Sequence, residues 1–283
     1  MRGAVVTPST LFIIKLGGAL LDDPRALAAT LDGVAAMHRA NPGCVLIVHG
    51  GGSAVDRHLN RLGVISEKRD GIRVTPPAQM TEIAAVLSGS VNSTLVALLL
   101  ARGCSAVGLS LADGFSTDAR VSTRFDFDPG CVGEVTGGDP RLMQTLLHAS
   151  FLPVVSSIAA SNEGALLNVN GDDAATELAK ILCATGLVFL TDVDGVLDGS
   201  GQLIASLTGA EIDELIERGV ITGGMIPKVR GALATARSMG GQVIITSWRD
   251  PTILSRLATG HAIGTAVSAT TTTHASHTVS LTR

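Results

Sequence analysis

The sequence predicts an α/β protein, a three-layer αβα arrangement in which a mainly parallel central sheet carries helices on both faces. Three observations predict it. Short, continuous apolar runs recur, as at 11–14 and 44–48, each the length of a strand buried on both sides. Stretches with helix-start signals separate them. Glycine-rich turns close several runs, where a parallel strand passes into a helix.

The elements follow in order. Residues 1–10 form a loose leader. The first strand, 11–16, ends in Gly17-Gly18. Asp23-Pro24 opens a helix to about Arg39, with proline suited to the first turn. After the Asn41-Pro42-Gly43 turn comes strand 44–48, then His49 and three glycines. Ser53 is placed to cap a helix over 54–62. Residues 65–75, turning at Asp70-Gly71, predict a β-hairpin. Pro76-Pro77 opens a helix that resumes, past a glycine, at 91–100. A strand at 105–109 and a second hairpin at 118–135 follow. Asp139-Pro140 starts another helix. Strands at 151–156 and 165–169 precede a helix over 172–182, and a strand at 187–191 breaks into Asp192-Val193-Asp194-Gly195. Then come a short strand at 202–204, a helix over 208–218 with the Thr208/Glu211 capping-box pattern, and a helix over 226–239. A strand at 242–246, a helix at 251–258 and a strand at 263–265 complete the series. The Thr-, Ser- and His-rich tail from 268 lacks periodicity and reads as disordered.

Composition narrows the function. With 283 residues, 46% hydrophobic and 16% charged, the chain can build one large unit or two lobes around a core without staples. A net charge of −4 with no basic tract argues against a nucleic-acid partner, and one Trp with no Tyr argues against a stacking platform. Cys44, Cys104, Cys131 and Cys183 have neither metal-ligand spacing nor a disulfide framework. No metal site is expected, and reduced thiols suit a cytoplasmic protein. No apolar run is read as membrane-spanning, and the N-terminus lacks signal-peptide character.

Lys15 is the first chemical candidate. A lysine inside a buried strand is costly unless its ammonium meets an anion. Beside Gly17 and Gly18 it suggests an anion site at the strand's carboxyl end, although a snorkelling lysine before an ordinary turn fits the same residues. Gly51 and Gly52 repeat the pattern one unit later, where bare N–H groups meet a helix N-terminus. Lys228 opposes the dipole of its helix just after Gly223-Gly224, so it is either anion-seeking or simply exposed. Asp172 is a helix cap or a carboxylate that holds lysines. Asn168 and Asn170 point to one side of their strand. Arg73, in a hairpin, is a bidentate carboxylate grip or a solvated arginine. No nucleophile elbow, P-loop or G-x-G-x-x-G fingerprint is present.

Taken together, the chain resembles the amino acid kinase family, and within it the short, arginine-insensitive bacterial branch that phosphorylates N-acetyl-L-glutamate. The resemblance rests on Ile14-Lys15-Leu16-Gly17-Gly18, Val48-His49-Gly50-Gly51-Gly52, Gly71-Ile72-Arg73-Val74-Thr75, Leu152-Pro153-Val154-Val155-Ser156, Asn168-Val169-Asn170-Gly171-Asp172, Thr191-Asp192-Val193-Asp194-Gly195-Val196 and Gly224-Met225-Ile226-Pro227-Lys228, in family order. It implies the carbamate kinase-like fold, with an acyl-substrate and dimerisation lobe at 11–183 and an ATP lobe at 184–267. It implies that Lys15 and Lys228 stabilise the transferring phosphoryl group and that Asp172 orients both. Gly17 and Gly18 would bind the phosphoryl group, with Gly51, Gly52, Arg73 and Asn168 on the acyl substrate. Asp192, Val193, Asp194, Gly195, Val196, Leu197, Val220, Ile221 and Thr222 would line the nucleotide. Mg²⁺ would arrive with ATP, without protein ligands, and the protein would be a homodimer. The ten leader residues are too few for the extra helix of arginine-inhibited relatives. A kinase for glutamate or an acylated aminoadipate, or a non-catalytic amino-acid sensor, would share much of this pattern.

Overall fold

The computed structural model describes residues 10–69 and 71–269. The leader before Thr10, the turn residue Asp70 and the tail beyond Ala269 lie outside the described residues. In chain order the elements are β1 (Phe12–Leu16), α1 (Gly18–Leu21), α2 (Pro24–Ala40), β2 (Val45–His49), α3 (Gly52–Arg61), β3 (Lys68–Arg69), β4 (Ile72–Arg73), α4 (Pro77–Ala84), α5 (Asn92–Leu100) and β5 (Ala106–Ser110). Next are β6 (Asp118–Val121), β7 (Val132–Gly137), α6 (Arg141–His148), β8 (Leu152–Ser156), β9 (Ile158–Ala160), β10 (Leu166–Val169), α7 (Gly171–Ile181) and β11 (Gly186–Thr191). Last are β12 (Ser206–Leu207), α8 (Gly209–Glu217), α9 (Met225–Met239), β13 (Gln242–Ser247), α10 (Ile253–Ala258) and β14 (Thr265–Ser268).

The main sheet has eight strands in the order β12-β14-β13-β11-β1-β2-β8-β5. All neighbours are parallel except β13 and β14. A four-stranded sheet (β6-β7-β10-β9) and the β3-β4 hairpin stand beside it. Side chains alternate across a strand, and the alternation separates two cores. Ile13, Leu46, Val48, Leu187, Val243 and Ile245 pack with α6, α7, α8 and α9. Ile14, Leu16, Val45, Ile47, Val188, Leu190 and Ile244 pack with α2, α5 and α10. Central strands are apolar on both faces because both faces are covered. The predicted three-layer sheet is what the chain adopts.

Several local expectations change. α4 and α5 are joined by a π-helical turn, Ala85–Val91, so 77–100 is one helical run and not two helices parted at Gly89. That run is long and apolar enough to cross a membrane by length and composition alone, contrary to the reading that no stretch is. Here Leu95 and Leu99 are buried under the sheet. The helix after β2 begins at Gly52 with Gly51 as its cap, and Ser53 caps nothing. The short strand is Ser206–Leu207; Leu203 makes only a bridge to Leu197. The last strand is Thr265–Ser268, beyond the expected 263–265.

One contact tests the helical layer. A Cβ on Gly33 of α2 would stand 2.8 Å from the Leu254 Cβ of α10. Gly33→Ala should therefore overpack this seam, at about 1–3 kcal/mol, against about 1 kcal/mol gained in helix propensity. The expected result is a lower urea midpoint with an unchanged slope; a more stable variant would show that the seam relaxes freely.

Candidate active site

β1 lies between β11 and β2 at the middle of the sheet, where crossovers diverge and crevices open at strand carboxyl ends. Two places after Ile13, Lys15 shares its face and points toward α7. The backbone beyond β10 brings an acid to meet it. Asn170 caps α7, its Oδ1 accepting from the N–H groups of Asp172 and Asp173 at 2.8 and 3.3 Å. Asp172 is thereby released from the capping role that its position suggested. Its Oδ1 accepts from Lys15 Nζ at 2.8 Å. Gly171 sits close to both Gly50 and Lys15, a Cβ there lying in ordinary contact at 3.5 Å from Gly50 Cα and 3.6 Å from Lys15 Cε. Lys15 is mostly buried and Asp172 largely exposed, so the ammonium is held at the crevice wall.

Two glycine turns complete this end. Gly17 precedes α1, and Gly51, at φ +152°, precedes α3. A side chain at Gly51 would also meet Leu87 Cδ2 at 2.9 Å. Among the described residues no hydrogen bond uses the Gly51 N–H. The Ser53 hydroxyl, beside Gly18, is buried and unpartnered.

Arg73 borders the same crevice. Its side chain is only 8% exposed, which removes the reading of a solvated hairpin arginine. Nη1 donates to Asp56 Oδ1 at 2.6 Å and to Ser66 Oγ, and Nη2 donates to the Gly52 carbonyl at 2.8 Å. Among the described residues, Nε–H and one N–H on Nη2 have no partner, and these two nitrogens are ones that can bind a carboxylate bidentately. Lys68 Nζ also donates to Asp56, at 2.7 Å. Burial raises the Asp56 pKa, but the Arg73 and Lys68 hydrogen bonds outweigh it and hold the carboxyl below its ordinary 3.8. Asn168 Nδ2 donates to Thr75 Oγ1 at 3.1 Å. Lys15, Gly18, Gly51, Gly52, Arg73, Asn168 and Asp172 thus border one crevice of about 250 Å³.

A second crevice, about 680 Å³, lies on the β11 side. Asp192 through Leu197 and Val220 through Thr222 line it together. Gly195, at φ +146°, turns the chain there. Met225, Arg249 and Asp250 also line it and were missed from sequence. The polar break directly after strand β13 was the available signal. Arg249 Nη1 donates to the Asp192 carbonyl at 2.7 Å. In the first crevice the overlooked residues are Lys68, Asn170 and Gly171.

Two candidates line neither crevice: Gly17, which stays beside Lys15, where a Cβ would lie 3.4 Å from Nζ, and Lys228, which is set apart. Lys228 is exposed in the first turn of α9 and makes no ion pair among the described residues. Among them Asp172 pairs with Lys15 alone. The expectation that Asp172 contacts both lysines is not met in this conformation, because α9 starts on the β11 side of the sheet.

Fold and site define a mainly parallel α/β protein with two crevices at the carboxyl ends of its strands. The chain belongs to the amino acid kinase family, whose sequence profile matches residues 10–247. An acetylglutamate kinase of Edwardsiella ictaluri is 46% identical over 257 residues, covering 91% of this chain and 98% of that protein. Among solved structures, smu.665 of Streptococcus mutans UA159 superposes with a TM-score of 0.70 at 28% identity, covering 92% of this chain and 99% of the other. A Giardia carbamate kinase shares the fold at 18% identity, with a TM-score of 0.65 and coverage of 92% and 99%.

Asp56 supplies a test of the Arg73 anchor. A carboxyl with a lowered pKa in the folded state contributes stability above its unfolded value, and loses it as pH falls through the folded value. Stability should therefore drop below about pH 4 in the parent, and Asp56→Asn should flatten that part of the drop. Urea midpoints at pH 5 and pH 3 measure it; equal drops in both proteins would show that the pair adds nothing.

Proposed function

We propose that the chain is an acetylglutamate kinase, transferring the γ-phosphoryl group of ATP to the side-chain carboxylate of N-acetyl-L-glutamate in arginine biosynthesis. The observation that carries this reading is the set of groups lining one crevice, Lys15 and the turns at Gly18 and Gly51-Gly52 together with Arg73 and Asn168. A small acid with two carboxylates matches that set. The larger crevice, with its glycine turn, is suited to the nucleotide.

The acceptor carboxylate is ionised at neutral pH and is itself the nucleophile, so the protein supplies no base. Its oxygen forms the new bond to phosphorus as the bond to the bridging oxygen of ADP breaks. What remains for the protein is alignment and neutralisation of charge. Lys15 would face the transferring group, steadied by Asp172, with Gly17, Gly18, Gly51 and Gly52 offering N–H groups. Arg73 and Asn168 would hold the α-carboxylate. Lys228 would join when a nucleotide lobe, 184–267, closes on an acyl lobe, 11–183. Among the described residues no group of three His, Cys, Asp or Glu side chains is placed to hold a metal. Mg²⁺ would travel with ATP and neutralise its phosphates.

The open edge of β5 and the apolar run 77–100, with Leu100 54% exposed, support a homodimer. The unpaired cysteines accord with a cytoplasmic setting. A coupled assay of ADP release with ATP and N-acetyl-L-glutamate tests the activity. Glutamate and an acylated aminoadipate serve as competing acceptors, and turnover on either in place of acetylglutamate would overturn the substrate.

Lys15→Ala and Lys228→Ala should each lower kcat about a hundredfold or more, roughly 3 kcal/mol in the barrier, with smaller changes in KM. Near-parent turnover would remove that lysine from the chemistry.

Arg73→Ala should act differently. The α-carboxylate contact exists in ground and transition states alike, so the KM for acetylglutamate rises while that for ATP stays. The loss in kcat/KM should be roughly 2–4 kcal/mol, with Arg73→Lys recovering part of it. An unchanged KM for acetylglutamate would show that Arg73 serves only the hairpin.

A further inference from the structure

His49 is fully buried at the end of β2, directly before the glycine turn, and the phosphotransfer scheme does not use it. Its ring nonetheless has two defined partners. Nδ1 lies 2.8 Å from the Gly50 carbonyl oxygen, and Nε2 lies 3.0 Å from Asn92 Nδ2. A carbonyl only accepts, so the proton is on Nδ1. Asn92 Nδ2 also donates to the Val154 carbonyl at 2.9 Å, which makes it the donor toward Nε2. The two bonds therefore select one neutral tautomer. Burial pushes the His49 pKa down to about 4, which keeps the ring neutral at physiological pH.

The consequence follows from peptide geometry. In a trans peptide the carbonyl of one residue and the N–H of the next point in opposite directions, and no cis peptide occurs among the described residues. His49 draws the Gly50 oxygen toward the interior. The Gly51 N–H is consequently turned away from His49, on the side of the turn that borders the first crevice. At φ +152° Gly51 has no side chain to resist a peptide flip. Leu87 and Val91, from the π-helical turn, close against its Cα. Asn92 is the residue that follows this turn, so the helical run 77–100 delivers both the packing and the hydrogen bond.

We propose that His49 and Asn92 are a positioning pair that fixes the Gly50–Gly51 peptide, so that the Gly51 N–H faces the transferring phosphoryl group. This rests on the phosphotransfer reading above, and the test separates the two. An Asn side-chain nitrogen stands where His Nδ1 does and donates to Gly50, whereas the Gln carbonyl oxygen stands where Nε2 does and accepts from Asn92. His49→Asn retains the bond to Gly50, and His49→Gln retains only the end toward Asn92.

The experiment combines steady-state kinetics with the ¹⁵N–¹H resonance of Gly51 during titration with inorganic phosphate. Loss of one aligned donor lowers kcat, so His49→Gln is expected to fall about tenfold or more with little change in KM, and His49→Asn to stay within about threefold of the parent. The Gly51 amide should respond to phosphate in the parent and in His49→Asn, and not in His49→Gln. Parent-like kcat and phosphate response in His49→Gln would overturn the pair. So would equal losses in both variants that track thermal stability. Where neither variant folds, Asn92→Leu takes their place, with loss of the Gly51 response expected and its retention overturning the proposal. A parent that releases no ADP would overturn the phosphotransfer reading alone, because the phosphate response still reads the orientation of Gly51.

Discussion

The Lys15–Asp172 ion pair is the constraint around which this molecule is arranged. An ammonium near the middle of an α/β sheet is tolerated only with a partner, and removing one partner leaves the other's desolvation uncompensated. Asp172 is free to meet Lys15 because Asn170 takes over the capping of α7. Placing a carboxylate at a helix N-terminus suits the dipole as well. Packing on the α7 face and the cap at 170 thus serve a single contact.

Much of the architecture was legible because parallel strands covered on both faces are nearly continuous apolar runs. β1, β2, β8, β11 and β13 could be placed within a residue or two. The misses have local causes. Ser88-Gly89-Ser90 looks like a helix break, and only tertiary packing of Leu87 and Val91 on Gly51 turns it into a π-helical turn. Ser53 has good capping chemistry, yet Gly51 reaches the required backbone angles more easily, which shifts the start of α3. Gln202-Leu203-Ile204 has the apolar character of a strand, yet of it only Leu203 forms a bridge, to Leu197.

The site was legible as residue types and not as geometry. Lys15, Asp172 and the glycine turns announce themselves by position. Arg73 does not, since a hairpin arginine is ordinarily solvated, and Asp56 stands 17 residues away on a different element. Only folding shows that the two form a buried pair. For Lys228 the sequence supports a role by resemblance, while the geometry leaves the side chain outside both crevices. His49 illustrates the opposite case: a histidine ahead of three glycines suggests catalysis, yet its ring is wholly occupied with backbone and Asn92.

The hydrogen bond from Arg73 Nη2 to the Gly52 carbonyl has a bearing on selectivity. It ties the hairpin that would grasp one end of the acceptor to the turn that would receive the other end. The span between the two recognition points is then set by a single rigid bracket of protein, independent of any larger movement between the crevices. On the proposed reading this bracket works as a ruler for the number of methylenes between the acceptor's carboxylates. A shorter homologue would leave its reactive oxygen short of the phosphorus, and a longer one would have to buckle. Discrimination among chemically identical functional groups would then rest on distance alone.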